Sequence, residues 1–325
     1  MCNLGFCFLV GIGVQTDLEN AVHWLQKAKE AGSLRALDLL GHCYTDGRGL
    51  PQDHKAGFAL YLESAKQGYA PGQYDAGRCL MYGSGTTQDY DAAFYWLKSA
   101  ADQEDVRAQT LLARCYQEGL GTHPDAAEAI ALYRKAAAQE YAPAECSLGR
   151  CYETGSCGLG QDYFRALQLY LKAAEKGDAA AQNNLGYLYY NGLGAPRSYA
   201  RAFLWFEKAV QKGYPAAYYN IGLCYECGNG VKQNKFTALK FYQSAAQKGN
   251  PDAQFKLGCW YRDGAAGLTV DYAQAAELFA QASAGGHPQA AQEEQLCRKK
   301  MQKREASAER GEKIRTRLRH LFGGK

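Results

Sequence analysis

The sequence predicts an all-α protein, an α/α superhelical solenoid built from about eight helix-pair repeats of 36 residues. Three observations predict it: a small residue recurs every 36 or 37 positions, the apolar residues around it follow a helical period, and glycines separate the helices. Self-similarity with a fixed period of this length is typical of stacked repeat units. The chain length of 325 residues fits such an elongated array.

The recurring small residue marks the middle of the first helix, helix A, of each unit. Apolar residues near it are spaced by three or four positions, as at Ala36, Leu40 and Tyr44, which is typical of one helix face. A second segment with the same period, such as Asp89 to Ala100, predicts helix B. The small residues are Gly5, Gly41, Gly77, Ala113, Gly149, Gly186, Gly222 and Gly258.

Helix-terminating and helix-starting residues agree with this period. Helix A ends at G-x-G pairs such as Gly47 and Gly49, which suit the positive φ of a helix stop. Helix B is predicted to begin after an aspartate N-cap in most units. These aspartates are Asp17, Asp53, Asp89, Asp125, Asp162 and Asp271. Because one helix pair buries too little apolar surface to fold alone, neighbouring pairs are expected to stack.

The distribution of charge divides the chain into residues 1–297, the repeat solenoid, and residues 298–325, a basic C-terminal tail. The tail has eleven Lys and Arg against three Glu, so the net charge of +4 leaves the solenoid slightly acidic. Nucleic-acid binding is therefore not expected. The apolar stretches fall short of the ~18–20 residues that span a bilayer, which argues against an integral membrane protein.

The two ends differ from the repeats between them. The first repeat lacks the first half of helix A, so we expect this repeat to be incomplete. The cause would be a longer parent protein or a misassigned start. Pro288 to Arg304 is predicted to form a closing helix. Lys313 to Phe322 reads as a short basic amphipathic helix, consistent with weak contact to a membrane surface or an acidic partner. A frayed, solvated cap is the alternative.

Six cysteines occupy one repeat position, which holds Leu188 and Trp260 in other units and is therefore an apolar packing position. Because stacked helices lie ~8–10 Å apart, equivalent cysteines should be too distant to bridge. We expect free thiols and hence a cytoplasmic location, with a Cys151–Cys157 loop bridge left open. A lone C-x-x-C at Cys224 and Cys227 lacks the second pair that a zinc site needs. The six are Cys7, Cys43, Cys79, Cys115, Cys151 and Cys224.

The segment from Ala181 to Gly213 shows the whole pattern A-x3-LG-x2-Y-x2-G-x-G followed by A-x2-W-x3-A and a final glycine. This pattern resembles the SEL-1-like repeat (SLR) family, relatives of the tetratricopeptide repeats. The resemblance implies a scaffold or adaptor that holds a protein or peptide on a concave surface, often in bacterial assemblies. A secreted, cysteine-rich subset of the family is linked to β-lactam hydrolysis, but its C-x7-C disulfides are absent from this sequence.

Catalytic motifs are missing from the sequence. It contains no H-E-x-x-H, no G-x-S-x-G, no G-x4-G-K-[ST] and no S-x-x-K with K-T-G. We therefore predict a protein without enzymatic activity, cofactor or metal. Two alternatives remain: a β-lactamase-like or cell-wall-acting hydrolase of the cysteine-rich type, and the regulatory repeat region of a larger protein.

The predicted binding surface lies on the A helices, which line the concave side in related solenoids. Arg78, Arg114 and Arg150 occupy one position in consecutive repeats and predict a subsite for an acidic side chain or a C-terminal carboxylate. An alternative is that these arginines only pair with Glu118, Glu145 or Glu153. The other predicted peptide-binding residues are Tyr74, Asn183, Tyr187, Tyr190, Tyr219 and Phe255.

Overall fold

The computed structural model describes residues 1–322, and the side chains of these residues except 316 and 318–322. The described residues form seventeen α-helices and one 3₁₀ turn, Ala265–Gly267, with no strand among them. The helices are α1 (Cys2–Val10), α2 (Leu18–Glu30), α3 (Leu34–Asp46), α4 (His54–Lys66), α5 (Ala70–Tyr82), α6 (Tyr90–Asp102), α7 (Val106–Glu118), α8 (Ala126–Ala138), α9 (Ala142–Thr154), α10 (Tyr163–Glu175), α11 (Ala179–Asn191), α12 (Tyr199–Gln211), α13 (Pro215–Cys227), α14 (Lys235–Gln247), α15 (Pro251–Asp263), α16 (Tyr272–Ala284) and α17 (Ala290–Phe322).

The chain forms two compact units, Met1–Lys176 and Gly177–Lys325. In the first unit, each helix from α1 to α10 packs against its neighbours in the chain, and α3 also contacts α1 and α5. In the second unit, α11 to α17 pack in the same sequential way. Helices of odd number are the A helices and those of even number the B helices, up to α16. The predicted all-α solenoid of helix pairs is confirmed.

The predicted capping residues stand at the helix starts. Asp17 accepts a hydrogen bond from the backbone N–H of Asn20 at 3.0 Å, and Asp89 accepts one from Ala92 at the same distance. Each of the six predicted aspartates caps a B helix in this way. Gly47 ends α3 in the left-handed conformation with a φ of 67°, which a side chain would disfavour.

The recurring glycines of the A helices allow a large B-helix side chain to approach the backbone. A methyl group at Gly41 would lie 2.5 Å from the Tyr61 ring, and one at Gly222 would lie 2.5 Å from the Tyr242 ring. Both distances are far below van der Waals contact. The eight B-helix residues at this position are at most 2% exposed: Leu25, Tyr61, Leu97, Tyr133, Tyr170, Phe206, Tyr242 and Phe279.

The cysteine position belongs to the core, as the apolar residues at the same position predicted. Cys43, Cys79, Cys115, Cys151 and Cys224 are at most 1% exposed. None of the twelve cysteines forms a disulfide in the structure. Cys151 Sγ donates a hydrogen bond of 3.8 Å to Cys157 Sγ, and these two sulfur atoms are not covalently joined.

The C-terminal region differs from the two separate helices that we expected. A single helix, α17, runs from Ala290 to Phe322, so the proposed boundary between residues 297 and 298 falls inside it. One physical reason for the unbroken helix is its composition: residues 290–322 contain no proline and a single glycine, Gly311. Ile314 is 59% exposed, whereas the side chains of Leu318, Leu321 and Phe322 lie outside the described residues. The amphipathic character of Lys313–Phe322 therefore stays a prediction.

The N-terminal helix is shorter than the others. Helix α1 has 9 residues, against 13 in each helix from α2 to α16, in agreement with the half helix seen in the sequence. None of the helices, over the residues described, combines the length and the apolarity needed to cross a membrane.

Candidate functional site

The three predicted arginines lie on successive A helices of the first unit but in different environments. Arg78 on α5 donates two hydrogen bonds to Asp75 Oδ1, at 2.9 and 3.2 Å. Arg114 on α7 forms a two-pronged ion pair with Glu118, at 2.8 and 3.2 Å, and also donates to the Tyr82 hydroxyl. Arg150 on α9 is exposed, and its guanidinium has no hydrogen bond or ion pair with any described residue.

The alternative pairing that the sequence suggested holds for one of the three acidic residues. Glu118 pairs with Arg114, as stated above. Glu145 is only 5% exposed and pairs with Lys176 at 2.8 Å. Glu153 accepts a hydrogen bond of 2.6 Å from the Tyr170 hydroxyl. Arg150 is therefore the arginine of this series that remains free to contact a partner.

Asp75 is the centre of a cluster of charged groups between α3, α5 and α7. Its side chain is 2% exposed. Arg78 contacts the Oδ1 atom of this carboxylate, and Arg107 Nη1 lies 4.0 Å from the Oδ2 atom. Burial raises the pKa of Asp75, but His42 and Arg78 outweigh this effect, so the pKa is lowered overall. The guanidinium carbon of Arg107 lies 4.3 Å from the centroid of the Tyr74 ring. Tyr74, one of the predicted peptide-binding residues, is therefore half-buried beneath this cation.

His42 joins this cluster from α3. Its Nε2 atom lies 3.5 Å from Asp75 Oδ2 and 3.8 Å from Asp38 Oδ2, and its Nδ1 atom lies 2.9 Å from the Tyr61 hydroxyl. Burial, followed by the charge of Asp75, raises the pKa of Asp38 to about 6. Burial lowers the pKa of His42, but its contacts with Asp75 and Asp38 outweigh that, and the pKa is raised.

Sequence reasoning missed this cluster, which we call the Asp75 cluster and define as Asp38, His42, Asp75, Arg78 and Arg107. The signal was present: an Asp four residues before a His places both side chains on one helix face. Asp75 could not be found in this way, because its column in the other repeats is not acidic. Only the packing of α3 against α5 brings the two halves together.

An aromatic cavity lies among the A helices of the second unit. It has a volume of about 200 Å³ and is lined by Tyr187, Tyr190, Asn191, Phe206, Asn220 and Leu223. The Tyr187 side chain is 46% exposed at its edge. The Tyr190 hydroxyl accepts a hydrogen bond of 2.6 Å from Asn229 Nδ2, which fixes this ring. The cavity therefore contains two of the predicted binding residues, Tyr187 and Tyr190.

The remaining predicted residues of the second unit contribute to packing. Asn183 is buried and accepts a hydrogen bond of 2.8 Å from Asn220, so it supports the cavity wall from behind. The Tyr219 ring packs against Tyr242, with centroids 5.6 Å apart. Phe255 stacks on His287 at 3.9 Å. These contacts leave Tyr219 and Phe255 half-buried, and a ligand-binding role for them stays a prediction.

Some polar residues of the A helices accept hydrogen bonds from buried tyrosines of the B helices. The hydroxyl of Tyr242 donates to Glu226 at 2.6 Å, as that of Tyr170 does to Glu153, and the hydroxyl of Tyr133 donates to Gln117 at 3.0 Å. A buried hydroxyl without a partner costs free energy, which explains the polar residue at the last position but one of these A helices.

The C-x-x-C pair has no feature of a reactive site. Cys224 is buried, and burial raises the pKa of its thiol to about 12. Cys227 is exposed, one residue before the helix stop at Gly228. A reactive thiol needs a lowered pKa, so Cys224 serves as a core residue.

These features define an α/α solenoid repeat protein with polar and aromatic side chains on its A helices. A comparison with known families identifies the repeat. The Sel1 repeat matches eight times, and together these matches cover residues 1–287. The chain therefore belongs to the Sel1 repeat family, whose members are generally non-catalytic scaffolds for protein–protein interaction. The matches are residues 1–33, 34–69, 70–105, 106–141, 142–178, 179–214, 215–250 and 251–287.

Two solved structures support the same fold. One is a protective antigen of uropathogenic Escherichia coli that displays an SLR fold, with 29% identity and a TM-score of 0.58 over 89% of this chain. This chain spans 62% of the length of that antigen. The other is a Sel1 repeat protein from Oxalobacter formigenes, with 26% identity and a TM-score of 0.64, covering 75% of this chain and 97% of the other. No curated protein matches the sequence.

Proposed function

We propose that this protein is a non-enzymatic scaffold that binds a protein or peptide on the surface lined by its A helices. The observation that carries the proposal is the aromatic cavity of the second unit. Tyrosine and arginine are the residues that most often dominate binding energy at protein interfaces. A cytoplasmic location is part of the proposal, and the lack of a disulfide among the twelve cysteines supports it, because reduced thiols persist there.

The aromatic cavity has the size and lining for one apolar side chain of a partner. Its volume of about 200 Å³ is below the range of about 300–1,000 Å³ that is typical of small-molecule sites. Tyr187, Phe206 and Leu223 offer apolar surface, while Asn191 and Asn220 place amide groups at the same opening. Such amides can hydrogen-bond the backbone of a bound peptide, which fixes its direction.

The first unit favours an acidic partner. Arg150 is exposed and forms no ion pair with a described residue, so its guanidinium can form a two-pronged contact with a carboxylate at little cost. Arg114 holds Glu118 in the same geometry that it would offer to an aspartate or glutamate of a partner. Arg78 is already committed to the buried Asp75.

The role of the aromatic cavity can be tested by selecting binding peptides from a displayed library and comparing variants. Leu223→Asp and Tyr187→Ala should each weaken the selected peptides about tenfold or more, since each 1.4 kcal/mol is a factor of ten. Phe236→Ala is the matched control, because Phe236 is a 68% exposed aromatic residue on helix α14 of the same unit. Equal binding by all three variants would contradict the proposed role of the cavity.

The acidic preference can be tested independently in the first unit. Arg150→Glu should weaken binding of peptides with acidic residues, and the affinity that remains should fall less steeply with added salt than that of wild type. Lys172→Glu makes the same change of charge at an exposed position of α10 and serves as the control. If the two variants lose affinity equally, net charge alone explains the effect, and the arginine subsite is wrong.

The scaffold proposal also distinguishes this chain from the hydrolase alternative. We expect no turnover of the chromogenic β-lactam nitrocefin above the buffer rate. The reason is that no serine has a lysine three residues on, and Cys224 has a raised pKa. Turnover that co-purifies with the folded chain would overturn the non-enzymatic proposal.

A further inference from the structure

We propose that Asp38, His42 and Asp75 bind a divalent transition-metal ion of the zinc class between the first unit's helices α3 and α5. The three side chains each offer one ligand atom, and these atoms lie within 4.8 Å of one another. Two ligands come from one turn of α3, and the third comes from the A helix of the next repeat. The metal would therefore link two neighbouring repeats.

The distances suit a metal after a small inward movement of the side chains. His42 Nε2 lies 3.5 Å from Asp75 Oδ2 and 3.8 Å from Asp38 Oδ2. Ligand atoms placed about 2.0–2.2 Å from a tetrahedral zinc ion are separated by distances of this order. Three protein ligands leave a fourth position for water or for a carboxylate of a partner.

Two buried carboxylate oxygens point to a missing ligand. Asp38 Oδ1 and Asp75 Oδ2 are buried and have no hydrogen-bond partner. The side chains of Asp38 and Asp75 are only 9% and 2% exposed. Burying a carboxylate is costly unless it is paired, hydrogen-bonded or bound to a metal. Asp75 is already paired with Arg78 and Arg107, whereas among the described residues the only ion pair of Asp38 is the one with His42, at 3.8 Å. A cation between the two aspartates would therefore chiefly balance the charge of Asp38.

The residues around the three ligands already hold them in a suitable orientation. The Tyr61 hydroxyl oxygen lies 2.9 Å from His42 Nδ1 and can accept a hydrogen bond from Nδ1–H, and in this tautomer Nε2 carries no proton and is free to bind. Arg78 holds Asp75 through Oδ1 and leaves Oδ2 for the metal. Arg78 and Arg107 also reduce the negative charge near the metal, so they lower the affinity that the three ligands would have without them.

The ligand set decides which metals fit. One imidazole and two carboxylates suit zinc, cobalt or nickel, whereas calcium and magnesium prefer oxygen ligands alone. The cysteines of the core are poor competitors, because burial raises the pKa of Cys43 and raises that of Cys79 to about 11. A thiol must lose its proton to bind a metal.

The test is a titration of the full chain with Co²⁺, followed by visible absorption and by calorimetry. The wild type should bind one equivalent, with ligand-field bands but without the intense charge-transfer band of a cobalt–thiolate bond. His42→Gln and Asp38→Asn should each lower the affinity at least tenfold. His54→Gln removes an exposed histidine of helix α4 and should change nothing.

A second measurement keeps the test valid if a variant does not fold. In the wild type, Zn²⁺ should shift the imidazole NMR signals of His42 before those of the other five histidines. Three results would overturn the proposal: no binding below millimolar Co²⁺, a thiolate charge-transfer band, or Zn²⁺ shifts that spare His42. Equal affinity of wild type and a folded His42→Gln would overturn it as well. None of these results depends on the proposed scaffold function.

Discussion

Asp75 makes Arg78 and Arg150, two arginines of the same series, unequal in their effect on stability. Arg78→Ala would remove both hydrogen bonds to Oδ1 of a carboxylate that is 2% exposed. Hydrogen bonds to charged groups contribute about 1.5–3 kcal/mol, so we expect a loss of about 2 kcal/mol in the free energy of unfolding. Arg150→Ala, at an exposed site without a partner, should stay within about 0.5 kcal/mol of wild type. Denaturation in urea measures both.

If Arg78→Ala were as stable as Arg150→Ala, the hydrogen bonds to Asp75 would contribute nothing. The same comparison matters for binding experiments. A triple variant of Arg78, Arg114 and Arg150 would confuse lost stability with lost binding, so Arg150 is the position at which recognition can be tested by itself.

His42 should make the stability of the metal-free protein depend on pH. Its pKa is raised in the folded protein by Asp75 and Asp38, against the effect of burial. A raised pKa stabilises the fold below the ordinary value of 6.5, and this contribution is lost as the pH rises through the folded pKa. We therefore expect the thermal midpoint to fall as the pH rises above 6.5 in the presence of a chelator.

Other groups near His42 affect the same experiment less in this pH window. The pKa of Asp38, raised to about 6 by burial, also removes stability as the pH rises, but mainly below the window. Asp75 has a lowered pKa, so its contribution is lost only in acid, and Arg78 and Arg107 stay charged throughout. His42→Gln should flatten the profile, whereas His54→Gln should keep the wild-type slope. Parallel profiles for all three proteins would contradict the prediction.

The candidate site shows what single residues reveal in a sequence. Repeat alignment found Arg150, Tyr187 and Tyr190 because their positions on the helix face follow from the period alone. It could not show that Arg78 turns inward, since the buried acid that draws it, Asp75, is particular to one repeat. Nor could it show that Asn183 lies behind the cavity wall, since that depends on how adjacent A helices pack.

At the scale of the helix, the glycines of the A helices set how closely each pair packs. Gly41→Ala would place a methyl group 2.5 Å from the Tyr61 ring, and relieving this overlap requires the two helices to move apart. Overpacking of a core costs about 1–3 kcal/mol, and we expect a destabilisation in that range. Gly160→Ala is a suitable control, because nothing lies within 4 Å of its added methyl group. Thermal or urea denaturation compares the two.

Ala113 shows that the chain can accommodate a methyl group at this position in one repeat. The cost in Gly41→Ala therefore depends on how far Tyr61 and its contact with His42 can shift. If Gly41→Ala unfolded at the same midpoint as Gly160→Ala, the close approach of α3 and α4 would not depend on the glycine.

Helix boundaries were the most predictable level of the structure. Aspartate N-caps and glycine stops are local signals. The aspartate caps the B helix in six of the eight repeats, with Ser198 and Asn234 in the other two, so errors in one repeat are corrected by the others. The C-terminal region has no such repetition. Its two expected helices are one helix, α17, because a charged segment without proline carries no strong local signal for a break.

At the scale of the whole molecule, sequential packing predicts that a local change stays local. Helix α3 packs against α1, α2, α4 and α5 of the first unit. In stacked repeats, stability is approximately a sum of the stability of each repeat and its contacts with direct neighbours. Destabilising one pair should therefore open that pair and the helices in contact with it before helices several repeats away.

Hydrogen exchange followed by mass spectrometry can measure this in the intact chain. In Gly41→Ala, the amides of α3 and α4 should exchange about tenfold faster for each 1.4 kcal/mol lost, and those of α2 and α5 should follow partly. The amides of α8 and α9, in the same unit, should exchange as in wild type. Zn²⁺ would slow the exchange of α3 and α5 if it joins them through Asp38, His42 and Asp75. A uniform acceleration over α1 to α10 would instead mean that the first unit opens as one cooperative body, and that the contacts between its repeats are stronger than the repeats themselves.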